Sequence, residues 1–261
     1  MHRPLAGRAP RALGTRSLTR RLALFLAVGA LACATTGRAQ ALSSQPLNIT
    51  VYGGSGAIGS RIVAEAVARG HHVTVVDRTP KPETAPPGVK VLQGDVFDPA
   101  DIGKNIAGQD VLVTAVAARP TPTRDFYVRL VQAAVAAQRA QTGKRTRYLV
   151  VGGASSLEVA PGKRLVDTLP ATLPDAAKNE IFSMVEALDF LRTVKDTSWT
   201  FFSPAGSIGP GTRTGTFRVG GDQLIKDAKG DSRISYEDYA VAMLNEIEKP
   251  QYINKRFTVG Y

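Results

Sequence analysis

The chain has 261 residues, 43% of them hydrophobic, with one cysteine, three histidines and a formal net charge of +11. That length allows one large domain or two small ones, and that hydrophobic share excludes a disordered chain. One cysteine excludes an internal disulfide and a cysteine-based zinc site, and the three histidines leave no bound metal to be expected.

The charge is concentrated at the start. Seven arginines (Arg3, Arg8, Arg11, Arg16, Arg20, Arg21 and Arg38) precede Leu47, and no acidic residue precedes Glu65. Without this leader the balance is +4, an ordinary surface charge. No basic stripe interleaved with aromatics follows, so no nucleic-acid partner is expected. Leu22 to Ala34 is an apolar run, shorter than the roughly 20 residues a membrane span needs. A basic start, a short apolar middle and the A-x-A exit Ala39-Gln40-Ala41 form a signal-peptide pattern. The expectation is a targeting segment over residues 1–41, a folded domain over 42–261 with no membrane span, and export to the periplasm or medium. Thr19 to Leu24 resembles a twin-arginine signal. Ala30 to Cys33 loosely resembles a lipoprotein box, which would put a lipid on Cys33. A mitochondrial transit peptide is the other reading of the leader, against which the continuous apolar run argues. A downstream start would leave the protein cytoplasmic.

The mature chain alternates strands and helices. Leu47 to Gly53 alternates and is β-branched, predicting a strand; Ala57 to Arg69 carries Ile58, Ile62, Val63, Ala66 and Val67 on one helical face, and Gly70 stops it. Strands are predicted at Val73 to Val76, Val89 to Gln93 and Val111 to Val116, with the proline-rich loop Thr79 to Gly88 and a short helix from Asp98 to Ile106 between them. A long helix follows from Thr123 to Gln141, a strand at Tyr148 to Val151, a second long helix from Pro174 to Val194, and a strand at Trp199 to Phe202. Tyr236 to Ile247 is a helix and Arg256 to Val259 the last strand. Apolar strands alternating with helices imply a parallel sheet covered on both faces. The fold class is therefore α/β, a single Rossmann-type doubly wound domain with a mainly parallel sheet.

The first strand runs into Gly53-Gly54-Ser55-Gly56-Ala57-Ile58-Gly59, which then opens a helix. The first glycine permits a tight turn, Gly56 lets a pyrophosphate approach the backbone, and Gly59 allows close helix packing. The free N–H groups of the helix N-terminus would face the phosphates. The alternative is a glycine-rich turn without a ligand, which the strand–turn–helix context disfavours. The second strand ends in Asp77-Arg78 near the place of the adenosine ribose. A carboxylate there suits the ribose hydroxyls of NAD, and an arginine suits the 2′-phosphate of NADP. The balance falls to NADP, with NAD open.

The segments VYGGSGAIG, VTVVDRT, VLQGDVFDP, AGQDVLVTAVA, YLVVGGASSL, SWTFFSPAGSIGPG and SRISYEDYAVAML together resemble the atypical short-chain dehydrogenase/reductase superfamily. The chain is most similar to its NAD(P)H-binding group, with biliverdin reductase B and NADH–flavin reductases, over essentially everything after Leu47. The resemblance implies that Gly53 to Gly59 hold the pyrophosphate and Arg78 meets the adenosine phosphate. It implies that Asp95 and Val96 flank the adenine and that Ala115, Val116 and Ala117 line the ribose. Ser155 and the stretch Pro204, Ala205 and Gly206 would border the nicotinamide.

One departure stands out. Alcohol dehydrogenases of that superfamily use Tyr-x-x-x-Lys as proton donor, and none of the seven tyrosines here has a lysine four residues on. The residues left as catalytic candidates are Ser155 and Lys178, and both have plainer readings: Ser155 as a strand end, Lys178 as a solvated residue of a first helical turn. Ketone reduction needs a placed acid. Flavins and similar planar acceptors take hydride onto a conjugated ring and draw their proton from water, so hydride transfer from NAD(P)H to such an acceptor is the expected activity. The rivals are a non-catalytic NAD(P)-binding sensor or scaffold and a sugar or steroid epimerase or dehydratase.

Several residues are expected to be structural. Asp167, Asp175 and Glu180 read as solvated helix-flanking residues, Trp199 as core, and His71 and His72 as surface residues in a turn. For Tyr236, Asp238 and Tyr239, capping and packing suffice. Gly209 to Gly221, with five glycines, reads as a mobile substrate flap or a β-turn region.

Overall fold

The computed structural model describes residues 45–118 and 123–261. The leader motifs, including Cys33 and the cleavage site after Ala41, lie outside them.

Alternation decides how the first strand is used. In β1 (Asn48–Tyr52), Ile49 and Val51 point to one face of the sheet and Thr50 and Tyr52 to the other, and all four are buried. Such a strand has to be covered on both sides. The elements that follow supply the cover: α1 (Ala57–Ala68), β2 (His72–Asp77), β3 (Lys90–Gln93), α2 (Pro99–Ile106), β4 (Val111–Thr114), α3 (Phe126–Ala140) and β5 (Arg147–Val151). A small hairpin, β6 (Glu158–Ala160) and β7 (Lys163–Arg164), precedes α4 (Asp175–Thr193). Then come β8 (Trp199–Ser203), β9 (Ser207–Gly209), β10 (Arg218–Gly220), β11 (Arg233–Ser235), α5 (Tyr236–Glu248) and β12 (Lys255–Gly260).

The main sheet has eight strands in the order β10-β12-β8-β5-β4-β1-β2-β3. Every neighbouring pair is parallel except β10 with β12. The order reverses between β1 and β4, which places the ligand crevice of a doubly wound sheet beyond the ends of those two strands. Helices α1 and α5 pack together on one face, over Ile49, Val51, Val113 and Phe202. Helices α2, α3 and α4 cover the other, over Tyr52, Leu112, Tyr148 and Phe201. Trp199 lies in this second core and donates its ring N–H to the Val194 carbonyl at 3.1 Å, as its core reading required.

Three expectations need correction. His71 is buried, not a surface residue: its Nδ1 accepts from Leu47 N at 3.2 Å, so Nε2 carries the proton toward Glu248 Oε1 at 3.1 Å. It ties the strand entry to α5, while His72 is exposed. The third helix starts at Phe126, since Thr123 to Asp125 form a turn.

The 209–221 stretch is the third. It is an anchored strap rather than a flap. Buried Asp238 accepts from Thr214 N (2.8 Å), Thr214 Oγ1 (2.6 Å), Gly215 N (2.8 Å) and Tyr261 OH (2.8 Å). Glu237 accepts from Gly211 N at 2.9 Å, and Arg213 makes a two-pronged pair with buried Glu65 at 2.8 Å. Burial by itself would raise the Asp238 carboxyl, but these donors outweigh it and hold the group below the ordinary aspartate range.

A carboxyl depressed in the folded state stabilises fully above its unfolded value, near 4, and loses that contribution as pH falls through the lowered one. Asp238→Asn is expected to cost about 2 kcal/mol at pH 7 by weakening charged hydrogen bonds. The gap in thermal midpoint between wild type and variant should close as pH is brought below about 4. A gap that stays constant down to pH 3 would show that the Asp238 charge does not anchor the strap.

Candidate functional site

The site is built on backbone packed against backbone. Gly53 leaves β1 at φ +81°, in the left-handed region that favours glycine, and a Cβ there would lie 2.6 Å from the Ala115 carbonyl oxygen. A Cβ on Gly59 would lie 2.0 Å from Gly53 O, and one on Gly54 would strike the Val75 side chain. These three glycines let the turn, β4 and α1 meet. Gly56 differs: its Cβ would press on Gly53 O at 3.2 Å and touch Ala115 O at 3.8 Å, a milder crowding than at the other three. It is the N-cap of α1, has no side-chain cap and is followed by no acidic residue in the first turn. The N–H groups of Ala57, Ile58 and Gly59 have no backbone acceptor. A helix start of this kind is an anion site in waiting.

Around this turn lie two cavities. The first, about 290 Å³, runs from Gly53 and Ser55 past the end of β2 to Gly94, Asp95, Val96 and Phe97. Asp77 is buried and turns inward, accepting from Ser55 N at 3.2 Å, so it steadies the glycine turn. Arg78 and Lys81 are exposed on the cavity margin, and neither side chain has a hydrogen bond or ion pair among the described residues. The far wall is held by Asp101, which accepts from Asp95 N (2.9 Å) and Tyr52 OH (3.0 Å). A Cβ on Gly94 would lie 2.5 Å from this carboxylate. Burial, with Asp101 and Asp95 nearby, pushes the Tyr52 phenol far above its usual range, so it stays a donor.

The second cavity, about 360 Å³, lies on the other side of Val116 and Ala117, which line both. Its floor is Gly56 to Ile58 and Ala115; its walls include Val151 to Gly153, Ser155, Pro204, Ile208, Ile181 and Met184. Its polar groups beyond the backbone are Ser155, Tyr127, Glu180 and Tyr236. Tyr127 OH donates to Glu180 Oε1 at 3.4 Å and accepts from Ala118 N at 3.2 Å.

The residues singled out by sequence divide accordingly. Gly53, Ser55, Asp77, Arg78, Asp95 and Val96 border the first cavity. Gly56, Ala57, Ile58, Ala115, Ser155 and Pro204 border the second, and Val116 and Ala117 join the two. Gly54 and Gly59 support the turn from behind. Ala205 is packed into the core, and Gly206 N donates to Ser232 Oγ at 2.9 Å, so neither lines a cavity. Lys178 lies at the start of α4, with Nζ 3.7 Å from Asp175, and lines neither cavity. The face that α4 turns to the second cavity holds Glu180 instead. Glu180 is thus not simply solvated, and Tyr236 does more than pack. Tyr127 carried no sequence signal, because it meets Glu180 only when α3 and α4 pack together. Among the described residues no cluster of His, Cys, Asp and Glu could hold a metal, and no helix is long and apolar enough to cross a membrane.

A wider hollow of about 630 Å³, lined by residues such as Ser207, Thr212, Thr214, Arg233 and Tyr261, lies under the strap. No residue of the glycine turn borders it, so it is separate from the site.

A family model described as NAD(P)H-binding matches residues 53–250. Among solved structures, the chain is similar to a candidate exported protein of Burkholderia pseudomallei, with 45% identity, a TM-score of 0.73, and coverage of 82% of this chain and 100% of that one. A candidate epimerase of Bacteroides thetaiotaomicron is 36% identical, with a TM-score of 0.72 and coverage of 83% and 98%. A candidate NADH–flavin reductase of Streptococcus pneumoniae is 32% identical, with a TM-score of 0.70 and coverage of 82% and 99%.

Gly56→Ala separates ligand approach from folding. The thermal midpoint should move by no more than about 3 °C, because the added methyl meets only Gly53 O closely and a shift of a few tenths of an ångström relieves it. Affinity for a dinucleotide, read by titration, should fall at least about tenfold, because that methyl occupies the pyrophosphate approach. Unchanged affinity would move the phosphate path off this turn.

Proposed function

This chain belongs to the NAD(P)H-binding family of the atypical short-chain dehydrogenase/reductase superfamily, and on that premise we propose that it is an NADPH-dependent reductase of flavins or similar planar acceptors. The observation that carries the reading is the contrast between the two cavities on either side of the glycine turn. One has unpaired cations at its margin and the other is mostly apolar.

The residues fit a dinucleotide. Three free N–H groups and the bare Gly56 suit a pyrophosphate, and the Gly94–Val96 wall suits an adenine. Asp77 lines the same cavity and keeps acceptor positions beyond Ser55 N that suit ribose hydroxyls, while Arg78 and Lys81, unpaired at the margin, suit a 2′-phosphate and tip the reading to NADPH. When bound, NADPH supplies the hydride. The chain's own part is to align two rings: Val116 and Ala117 carry the path from one cavity to the other, and Pro204, Ile208 and Met184 exclude water around the acceptor. No Tyr-x-x-x-Lys pair occurs, and Lys178 stands away from the cavity; an acceptor that takes hydride onto a conjugated ring needs no such pair, since it can draw its proton from solvent. An epimerase acting on a sugar would need a wall rich in hydrogen-bonding groups, and this one is mostly apolar. The arginine-rich leader and the similarity to a candidate exported protein support export of this chain.

Separate titrations with NADPH and NADH test the reading, followed by turnover with flavins and quinones. NADPH should bind at least about tenfold tighter than NADH, through charge-assisted contacts to the extra phosphate. Joint replacement Arg78→Ala and Lys81→Ala should weaken NADPH by about 10- to 100-fold and leave NADH within about twofold. Tighter binding of NADH would reassign the site to NAD. Tight cofactor binding with no turnover of any acceptor would make the chain a sensor.

A further inference from the structure

The second cavity has one acidic side chain and, among the described residues, no basic one on its wall. The acid is Glu180, reached from α4 and set beside Ile181 and Met184. Its described donor is Tyr127 OH, at a long 3.4 Å, which leaves most of the carboxylate's acceptor positions open. Cations on the neighbouring elements are already paired: Arg61 lies on the Tyr236 ring, 5.7 Å from its centre, and pairs with Glu237 at 3.2 Å, and Arg124 lies on the Phe182 ring, 4.5 Å from its centre, and pairs with Glu186. Lys178 is likewise paired, with Asp175.

We propose that Glu180 is the specificity-determining residue for the acceptor. It favours neutral or cationic conjugated rings that carry an N–H or O–H donor on their edge, and it rejects rings that bear negative charge. The inference rests on the cavity being the acceptor site. Glu180 is half-buried, and a carboxylate set in a mostly apolar wall repels a like charge more strongly than one in open water, because solvent screens the pair less. It also leaves an acceptor position that a ring donor can fill, as the imide N–H of an isoalloxazine would. Specificity of this kind is set as much by what is repelled as by what is held.

The test compares menadione with a ring-sulfonated naphthoquinone, in wild type and Glu180→Gln. Two readouts are taken: kcat/KM with NADPH, and affinity for protein loaded with NADP⁺, where no turnover occurs. Glu180→Gln is expected to raise both values for the sulfonate at least about tenfold while menadione stays within about threefold, since the change removes the charge, keeps the shape and puts an amide N–H where an oxygen was. Taking the ratio between wild type and variant cancels the different intrinsic reactivities of the two quinones. Turnover of both quinones with an unchanged ratio overturns the role of Glu180 and leaves the reductase reading standing. Discrimination in affinity without any turnover supports the role of Glu180 and overturns the reductase reading. Binding of neither quinone to wild type overturns both.

Discussion

The close approach of backbone to backbone at the end of β1 governs this molecule. Gly53 sits against Ala115, and Gly59 sits against Gly53, at distances no side chain would tolerate. That contact sets how near α1 comes to the sheet and where its free N–H groups point. It also brings the ends of β1 and β4 together at the place where the strand order reverses. Both cavities are consequences, since each is a gap left beside this turn, and Val116 and Ala117 run between them.

Polar groups then hold the margins in place. Asp77 fastens the turn through Ser55 N, and Asp101 fastens the opposite wall through Asp95 N and Tyr52. On the far side, Glu65, Glu237 and Asp238 each grip the glycine-rich strap between β9 and β10. The buried pair of Arg147 with Glu246 works differently: burial lowers the arginine's pKa, and the carboxylate opposes that. Glu246 also accepts from Gln251 N and Tyr252 N, so it turns the chain from α5 toward β12. Most of these carboxylates thus serve backbone N–H groups, Glu65 being the exception, since its donors are Arg69 and Arg213.

The chemistry follows from the contrast this arrangement creates. A cleft with unpaired cations at one end and an apolar chamber at the other suits a ligand that is charged at one end and a flat ring at the other. The sheet supplies only orientation. The few polar side chains that α3, α4 and α5 bring to the chamber are Tyr127, Glu180 and Tyr236.

The sequence alone was enough for the order of strands and helices, because period-two and period-3.6 patterns are local and depend only on neighbouring residues. The glycine turn was equally legible, since its requirements fall within seven consecutive positions. The small strands β6, β7, β9, β10 and β11 were not: each is three residues or fewer, too short for a period-two pattern to show, and β9, β10 and β11 are also held by distant partners. The burial of His71 depended on Glu248, and the anchoring of the strap on Asp238, each brought close only by the packing of α5. Asp77 and Arg78 are adjacent in sequence, and tertiary structure buried the first against Ser55 N and left the second exposed on the margin of the same cavity. The Tyr127–Glu180 contact likewise joins residues from two helices that meet only in the folded chain. Local pattern specifies elements and the turn between two of them. Which side chains share a cavity is decided by packing, because it depends on residues that the sequence places far apart.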